Sequence, residues 1–315
     1  MYNNKKICVV VPAYNEQILI IRVLETMPDY VDLIIVVDDA STDKTSQILS
    51  NYAGKNKKTI KIITHGKNQG VGATILTGYL DAVSQAMDIV AVMAGDAQMD
   101  PAELERVLLP VVNNEADYVK GNRYFSGEAW KVMPRVRFFA VACLSFVTKI
   151  ISGYWHVADS QCGFTAISSS AINKLDHDAI YKRYGFPNDI LTMLNIASLR
   201  VKDVPVKPIY RVGEISGIKY ERIVFTLSFL LFKLFWYRLW QKYVIRDFHP
   251  LVMFYLFGVI FSAVGIIFGF SMFFIRSSLT VSMVVFCSLL LISGLQFSLF
   301  AMWFDMEYNR PLCVK

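Results

Sequence analysis

Two long uncharged runs near the C-terminus constrain this chain more than any other feature. From Pro250 it reads PLVMFYLFGVIFSAVGIIFGFSMFFI, with no charge before Arg276, and from Thr280 it reads TVSMVVFCSLLLISGLQFSLFAMWF, with none before Asp305. About 20 apolar residues cross a bilayer as a helix, and helices in soluble cores rarely stay uncharged for so long. Residues 250–275 and 280–304 are therefore predicted to be transmembrane helices, and the short RSSL connector makes them a hairpin with both flanks on one side. Lys233, Arg238, Lys242 and Arg246 precede the first run, and Arg310 and Lys315 follow the second. This bias predicts that residues 1–220 and a tail over 305–315 are cytoplasmic, in a multi-pass protein of the cytoplasmic (inner) membrane.

Composition agrees: 54% of residues are hydrophobic and 18% charged, an apolar excess that the C-terminal quarter carries. The N-terminal MYNNKK is polar, and the apolar ICVVVPA behind it is too short for a secretory core. Five cysteines, at 8, 143, 162, 287 and 313, show neither metal-ligand nor disulfide spacing and read as reduced thiols. The formal charge of +6 calls for no nucleic acid. Basic groups near the spans suit anionic lipid headgroups, and no basic motif interleaved with aromatics appears.

Residues 221–249 have another texture, ERIVFTLSFLLFKLFWYRLWQKYVIRDFH. Arg238, Lys242 and Arg246 fall four apart, which predicts one basic stripe on an interfacial amphipathic helix that reaches lipid phosphates, with Trp236, Tyr237 and Trp240 at the polar boundary.

Residues 1 to about 130 alternate short strand and helix signals: ICVVVPA, LIIVVDD, TIKIITH and DIVAVMAGD as strands, with helices opening at Glu16, STDKT, GKNQGVGA and DPAELERVL. Such alternation predicts an α/β domain with a mostly parallel sheet and helices on both faces. Ligands of such sheets sit outside the carboxyl ends of the strands. The residues there are Pro12 to Glu16, Asp38 and Asp39, the His65 to Gly72 loop, and Asp96 to Gln98.

These ends suit a nucleotide-sugar. Asp38 can accept from the imide N–H of uracil or the ring N–H of guanine, and Tyr14 offers a face for stacking. Ser41 or Thr42 is expected to cap the next helix. The loop HGKNQGVGA lacks a full GxGxxG, so its glycines are read as permitting a tight turn at a helix N-terminus that favours an anion. His65 is expected to be structural, and Asp100 to be an N-cap with Pro101 at the first helical position.

VVVPAYNE, VVDDASTDKT, NQGVGA, AGDAQMDP, GNRY and DSQCGF occur in this order. Together they resemble the family 2 glycosyltransferases with a GT-A (Rossmann-like) fold, in the branch of dolichyl- and polyprenyl-phosphate sugar synthases. The resemblance covers roughly residues 5–220, and the hairpin resembles bacterial members. It implies that Pro12, Tyr14, Glu16 and Asp38 contact the nucleoside with Asp39 in support. Asp96 and Gln98 match two positions of the DADLQ motif that holds a divalent cation (Mg2+ or Mn2+) and the diphosphate, whereas the first aspartate of that motif corresponds to Ala94. Arg123, Arg137, Arg211, Ser216 and Lys219 resemble residues that contact the acceptor phosphate. Asp96, Arg123 and Asp159 are thereby implied as the catalytic residues; Asp159 lies where the family has an acid near the reacting centre, which orients the sugar or acts as a base, orientation being the preferred reading, and Asp189 takes a position often acidic in relatives.

The resemblance implies inverting transfer of a hexose from a nucleotide-sugar, UDP-hexose in preference to GDP-mannose, to undecaprenyl phosphate, in cell-envelope glycan or glycolipid modification. It also allows homo-oligomers. A processive synthase, or an enzyme using another lipid acceptor, is the alternative; YRLWQK has the wrong order for the QxxRW of processive enzymes. A transporter is disfavoured because neither run contains an ionisable residue.

Overall fold

The computed structural model describes residues 1–53, 59–210, 213, 220–274 and 280–314. They form two compact units, Met1–Phe235 with Pro311–Lys315, and Trp236–Arg310.

The first unit opens with β1 (Ile7–Ala13), α1 (Ile20–Glu25), β2 (Leu33–Asp38), α2 (Thr45–Ala53), β3 (Ile60–Thr64), α3 (Val71–Ser84) and β4 (Ile89–Val92). It continues through α4 (Leu104–Val112), β5 (Tyr118–Asn122), α5 (Ala129–Val132), α6 (Arg135–Ser152), β6 (Thr165–Ser168), α7 (Ser169–Ile172), α8 (Phe186–Ile196) and β7 (Val201–Pro205). The long helix α9 (Tyr220–Arg238) leads into the second unit, whose helices are α10 (Leu251–Phe274) and α11 (Val281–Asn309), and β8 (Cys313–Val314) closes the chain.

One sheet orders the strands β3-β2-β1-β4-β6-β5-β7-β8. Strands β1 to β4 pair in parallel, as the alternating pattern predicts, and β5 is parallel to β7. Strand β6 runs antiparallel to both β4 and β5. This reversal places the loop that enters β6 at the same edge as the loops that leave β4 and β5, so DSQCGF joins the other motifs.

Burial explains the near-continuous apolar strands. On one face Ile7, Val9 and Val11 of β1 join Ile34, Val36 and Ala91 under Ile20 and Leu24 of α1 and Leu104 and Val107 of α4. The other face of β1 meets α3, where a Cβ on Gly78 would lie 2.7 Å from Val10 Cγ2.

In the second unit α10 and α11 meet through small residues. A Cβ on Gly258 would come within 3.0 Å of Ser298 N, and one on Gly294 within 2.6 Å of Ser262 N. This is the close backbone approach that stabilises helix pairs in lipid. By length and composition Leu251–Met272 and Val281–Leu312 are each able to cross a membrane, with mean hydropathy of 2.5 and 2.1.

The expected basic stripe is not what the helix presents. Arg238 and Lys242 are buried. Arg238 donates to Asp305 through Nη1 at 2.8 Å and Nη2 at 3.0 Å, and Lys242 Nζ donates to Asn309 Oδ1 at 2.7 Å. Tyr243 donates to Asp305 at 2.5 Å. Residues Leu239–Arg246 form a π-helix, and of the three basic positions Arg246 alone is exposed. The charge of Asp305 does not end α11, because it is neutralised inside this network and the helix runs on to Asn309.

Gly78→Ala is expected to destabilise the first unit by about 1–3 kcal/mol through overpacking against β1. Thermal unfolding followed by circular dichroism checks this; no change in midpoint would mean that α3 is not seated on Val10.

Candidate active site

The carboxyl ends of β1, β2, β3 and β4 are tied together by backbone bonds: Asp39 N–H donates to Ala13 O at 2.9 Å, His65 N–H to Asp38 O at 2.9 Å, and Gly95 N–H to Pro12 O at 3.2 Å. The loops beyond three of these strands carry non-glycine residues in the left-handed region, Asn15 (φ 59°), Ala40 (φ 57°) and Ala97 (φ 55°). For alanine that conformation costs about 1–2 kcal/mol, and such strain clusters at functional sites.

The paired aspartates do different work. Asp38 is fully buried and accepts from the Ser41 N–H at 3.0 Å, the Ser41 hydroxyl at 2.5 Å and the Ser46 hydroxyl. These donors take about three of the four acceptor positions of the carboxylate. Ser41 therefore does not cap α2; its hydroxyl oxygen accepts from Asn15 N–H at 2.9 Å, and Asp43 accepts from Thr45 N–H at 2.9 Å at the helix start. Thr42 is likewise tied to Asn15, whose Oδ1 accepts from Thr42 N–H at 2.8 Å.

Asp39 turns the other way. It accepts from Gln69 N–H at 2.9 Å and Gly70 N–H at 2.7 Å, and meets His65 Nδ1 at 2.7 Å, while His65 Nε2 meets the Thr77 hydroxyl at 3.0 Å. His65 is structural, as expected. The glycines of the NQGVGA loop are needed for close approach: Gly70 has φ 100°, and a Cβ on Gly72 would lie 2.6 Å from Tyr181 O. Tyr14 is exposed, leaving its ring open for stacking.

Asp96 follows β4, and its Oδ1 accepts from Gln98 N–H at 3.0 Å. Asp100 caps a short helix by accepting from Ala102 N–H at 3.0 Å, with Pro101 at the first position, as expected. Beside Asp96 stands Glu16, whose Cγ would lie 3.4 Å from a Cβ on Gly95. Its carboxyl is pushed up to about 7, first by burial and then by the charges of Asp96 and Asp43. A second carboxyl group thus approaches Asp96 from the loop after β1 rather than from position 94.

Across β6 lies a cationic corner. Arg123 donates through Nε to Asp159 Oδ2 at 2.6 Å and through Nη2 to Oδ1 at 3.0 Å, and its backbone N–H adds a bond at 3.2 Å. Arg123 Nη1 donates to the Tyr210 hydroxyl at 3.0 Å, and the Arg137 guanidinium lies 4.9 Å from the centre of the Tyr210 ring. Asp159 has no exposed surface. Its oxygens accept from Arg123, and Oδ1 also from Gln161 N–H at 3.3 Å, so any action of Asp159 on the sugar competes with this pairing. Tyr210 was missed because a tyrosine outside any motif carries no signal of its own.

Beneath this corner the buried Lys120 donates to Cys162 O at 2.7 Å, and burial lowers its pKa. Asp203 accepts from Asn122 Nδ2 at 2.8 Å and Ala158 N–H at 3.0 Å, and burial pushes it up to about 6. Asp189 is also buried, accepts from Tyr181 N–H, and is pushed up to about 6 by burial. Arg211, Ser216 and Lys219 lie outside the described residues.

The chain belongs to glycosyl transferase family 2, whose model matches residues 8–176. It is 32% identical over 219 residues to the UDP-N-acetylglucosamine–dolichyl-phosphate N-acetylglucosaminyltransferase of Methanococcus voltae, covering 66% of this chain and 87% of that protein. The undecaprenyl-phosphate mannosyltransferase of Micrococcus luteus is 26% identical over 228 residues, covering 70% and 91%. Among solved structures, glucosyl-3-phosphoglycerate synthase from Mycobacterium tuberculosis with UDP superposes with a TM-score of 0.53 at 18% identity, over 75% of this chain and 80% of that one. A second structure of that enzyme, with Mn2+, UDP and product, gives 0.50. The GT-A-like fold and the glycosyltransferase class expected from the motifs therefore hold, and the relatives are dolichyl- and polyprenyl-phosphate sugar transferases of differing sugar.

A divalent cation fits the donors present. Among the described residues no cluster of three or more His, Cys, Asp or Glu forms a complete cage. A cation that bridges a diphosphate needs one or two carboxylates, with phosphate and water completing the shell. Asp96 with Gln98 and the adjacent Glu16 meet that need, and the mutual repulsion of the two carboxylates favours a cation between them.

Glu16 is protonated below about pH 7 and ionised above it, so the site gains a negative charge as pH rises through that value. Mn2+ affinity in the presence of UDP, measured by calorimetry, is expected to rise by up to about tenfold per pH unit below that point. Glu16→Gln is expected to flatten this dependence; a slope unchanged in the variant would place Glu16 away from the cation.

Proposed function

We propose that this protein transfers a hexose from a UDP-hexose to undecaprenyl phosphate, with inversion, at the cytoplasmic face of the inner membrane. The observation that carries the reading is the opposition of two charge types at one sheet edge. Asp96 and Glu16 stand at one side of β6, and Arg123 and Arg137, held about Tyr210, stand at the other. The first pair suits a cation on a diphosphate, and the second suits a phosphate monoester.

The chemistry follows from the acceptor. A lipid phosphate is already an oxyanion, so one of its oxygens attacks the anomeric carbon while the bond from that carbon to the diphosphate breaks. The bonding electrons leave with the diphosphate, and no proton transfer is required. Arg123 and Arg137 hold and orient the nucleophile, and rate arises from alignment and charge stabilisation. A divalent cation held by Asp96, Gln98 and Glu16 would supply charge neutralisation of the leaving diphosphate. Tyr14 stacks on the base, Pro12 shapes its floor, and Asp38 and Asp39 hold the loops around it.

UDP is favoured because the Methanococcus relative is named for a UDP-sugar and the fold neighbour was solved with UDP. The Micrococcus relative, named for mannose, supports GDP-mannose as the second reading. A donor panel decides between them: purified protein, undecaprenyl phosphate and UDP- or GDP-sugars with Mg2+ or Mn2+, followed by mass spectrometry of the extracted lipid. The expected product is a hexosyl phospholipid from a UDP-hexose, absent with Asp96→Asn. No lipid-linked sugar from any donor would overturn the proposal.

A further inference from the structure

A single carboxylate on β7 holds both members of the Arg123–Asp159 pair. Asp203 Oδ2 accepts from Asn122 Nδ2 at 2.8 Å and from Ala158 N–H at 3.0 Å. Asn122 is itself buried, and its Oδ1 accepts from Tyr124 N–H at 2.9 Å. Arg123 is therefore gripped by the residues on either side of it, and Asp159 by the residue before it, through one oxygen. The loop entering β6 is fastened at two further points: His156 Nε2 meets Val201 O of β7 at 2.9 Å, and Lys120 Nζ of β5 donates to Cys162 O at 2.7 Å.

The other oxygen makes no such bond. Asp203 Oδ1 is closed to solvent and has no hydrogen-bond partner among the described residues. Burial of this kind disfavours the charged form, so as a mere strut the carboxylate is a costly choice. What the charge adds is grip, because hydrogen bonds to an ionised acceptor are about twice as strong as those to a neutral one. Burial pushes Asp203 up to about 6; Asp159 raises it further, and the Ala158 N–H, Lys120 and Asn122 act against the rise. The remaining neighbours do not change charge with it. Burial lowers His156 to about 4, so its ring is neutral there. Arg106 of α4 donates to Pro205 O at 3.2 Å, and Glu103 before it accepts from Lys207 N–H at 2.7 Å. On β7 itself Lys202 donates to Glu115 at 2.8 Å, and β8 brings Cys313 and Val314 to the far edge.

We propose that Asp203 is a positioning residue for the acceptor phosphate: as a carboxylate it draws Asn122 and Ala158 together and so fixes the Arg123 guanidinium on Asp159, and as a neutral acid it holds the two loops less firmly. The inference rests on reading the Arg123 corner as the phosphate side. Its consequence is a corner that grips lipid phosphate more firmly as pH rises through about 6.

Asp203→Asn tests this, because asparagine keeps an oxygen for the two donors and carries no charge, as the neutral acid does. Initial rates of the full chain are taken with undecaprenyl phosphate limiting and nucleotide-sugar saturating, from about pH 5 to about pH 8. Dividing kcat/KM of the unaltered chain by that of the variant removes the titrations common to both, those of the phosphate monoester and of Glu16. The quotient is expected to be near one at the acid end and to reach about tenfold at the alkaline end, the loss expected when two charge-assisted hydrogen bonds become neutral ones. The KM for the nucleotide-sugar is expected to be unchanged. A quotient independent of pH, whatever its size, would overturn the proposal. A second measurement needs no turnover: the Arg123 Nε–H resonance of the 15N-labelled chain, assigned by its loss in Arg123→Lys, is expected to move as pH passes about 6 and to stand still in Asp203→Asn. A resonance that is stationary in the unaltered chain would overturn the proposal. One that moves while no donor gives a lipid-linked sugar would support the coupling of Asp203 to Arg123 and overturn the reaction proposed above.

Discussion

The buried Asp159 carboxylate fixes the arginine corner between β5 and β6, the side proposed to take the acceptor. It accepts three N–H groups of Arg123, and so ties the loop leaving β5 to the loop entering β6. An isolated carboxylate inside a protein is strongly disfavoured, and removing one partner of such a pair costs about 3–5 kcal/mol because the other charge is left behind. The bidentate geometry also sets the plane of the guanidinium. Tyr210 takes a further Arg123 donor, and Arg137 stacks on the Tyr210 ring. Two arginines thereby meet at Tyr210, Arg123 with its charge balanced by Asp159 and Arg137 stacked on the ring, so the corner carries a net positive charge that suits a phosphate.

The donor side is organised by backbone. Parallel strands β1, β2 and β4 deliver their carboxyl ends to one edge, and the strained Asn15, Ala40 and Ala97 turn the chain there. Asp38 and Asp39 spend their oxygens on the loops around them, through Ser41 and Ser46 in one case and His65, Gln69 and Gly70 in the other. Glu16 and Asp96 are left as the carboxylates whose charges meet. The alanine at position 94 removes one carboxylate from the motif, and Glu16, in the loop after β1, brings another carboxyl group near Asp96.

The parallel half of the sheet was legible because strands buried on both faces read as unbroken apolar runs, and the caps at Asp100 and Pro101 were legible because they are local. The reversal of β6 was not, since the register of DSQCGF between β4 and β5 is a non-local fact. Neither was the pairing of Arg238 with Asp305, 67 residues apart in sequence, which makes a helix that reads as a basic stripe bury two of its three cations. The pairing of Asp159 with Arg123 was hidden for the same reason: a motif shows that an acid is present, but the partner of that acid is set by tertiary packing.

The central claim is that Asp159 acts on the lipid phosphate through Arg123 and not on the sugar directly. Steady-state kinetics of Asp159→Asn, varying lipid phosphate and nucleotide-sugar in turn, test it, with the folded fraction checked by thermal unfolding. The account predicts a loss of about a hundredfold in kcat/KM for the lipid phosphate, as expected when a positioned group shifts by about 1 Å, with the KM for the nucleotide-sugar unchanged. A variant whose defect lies in the KM for the nucleotide-sugar, with the lipid phosphate bound as before, would contradict it.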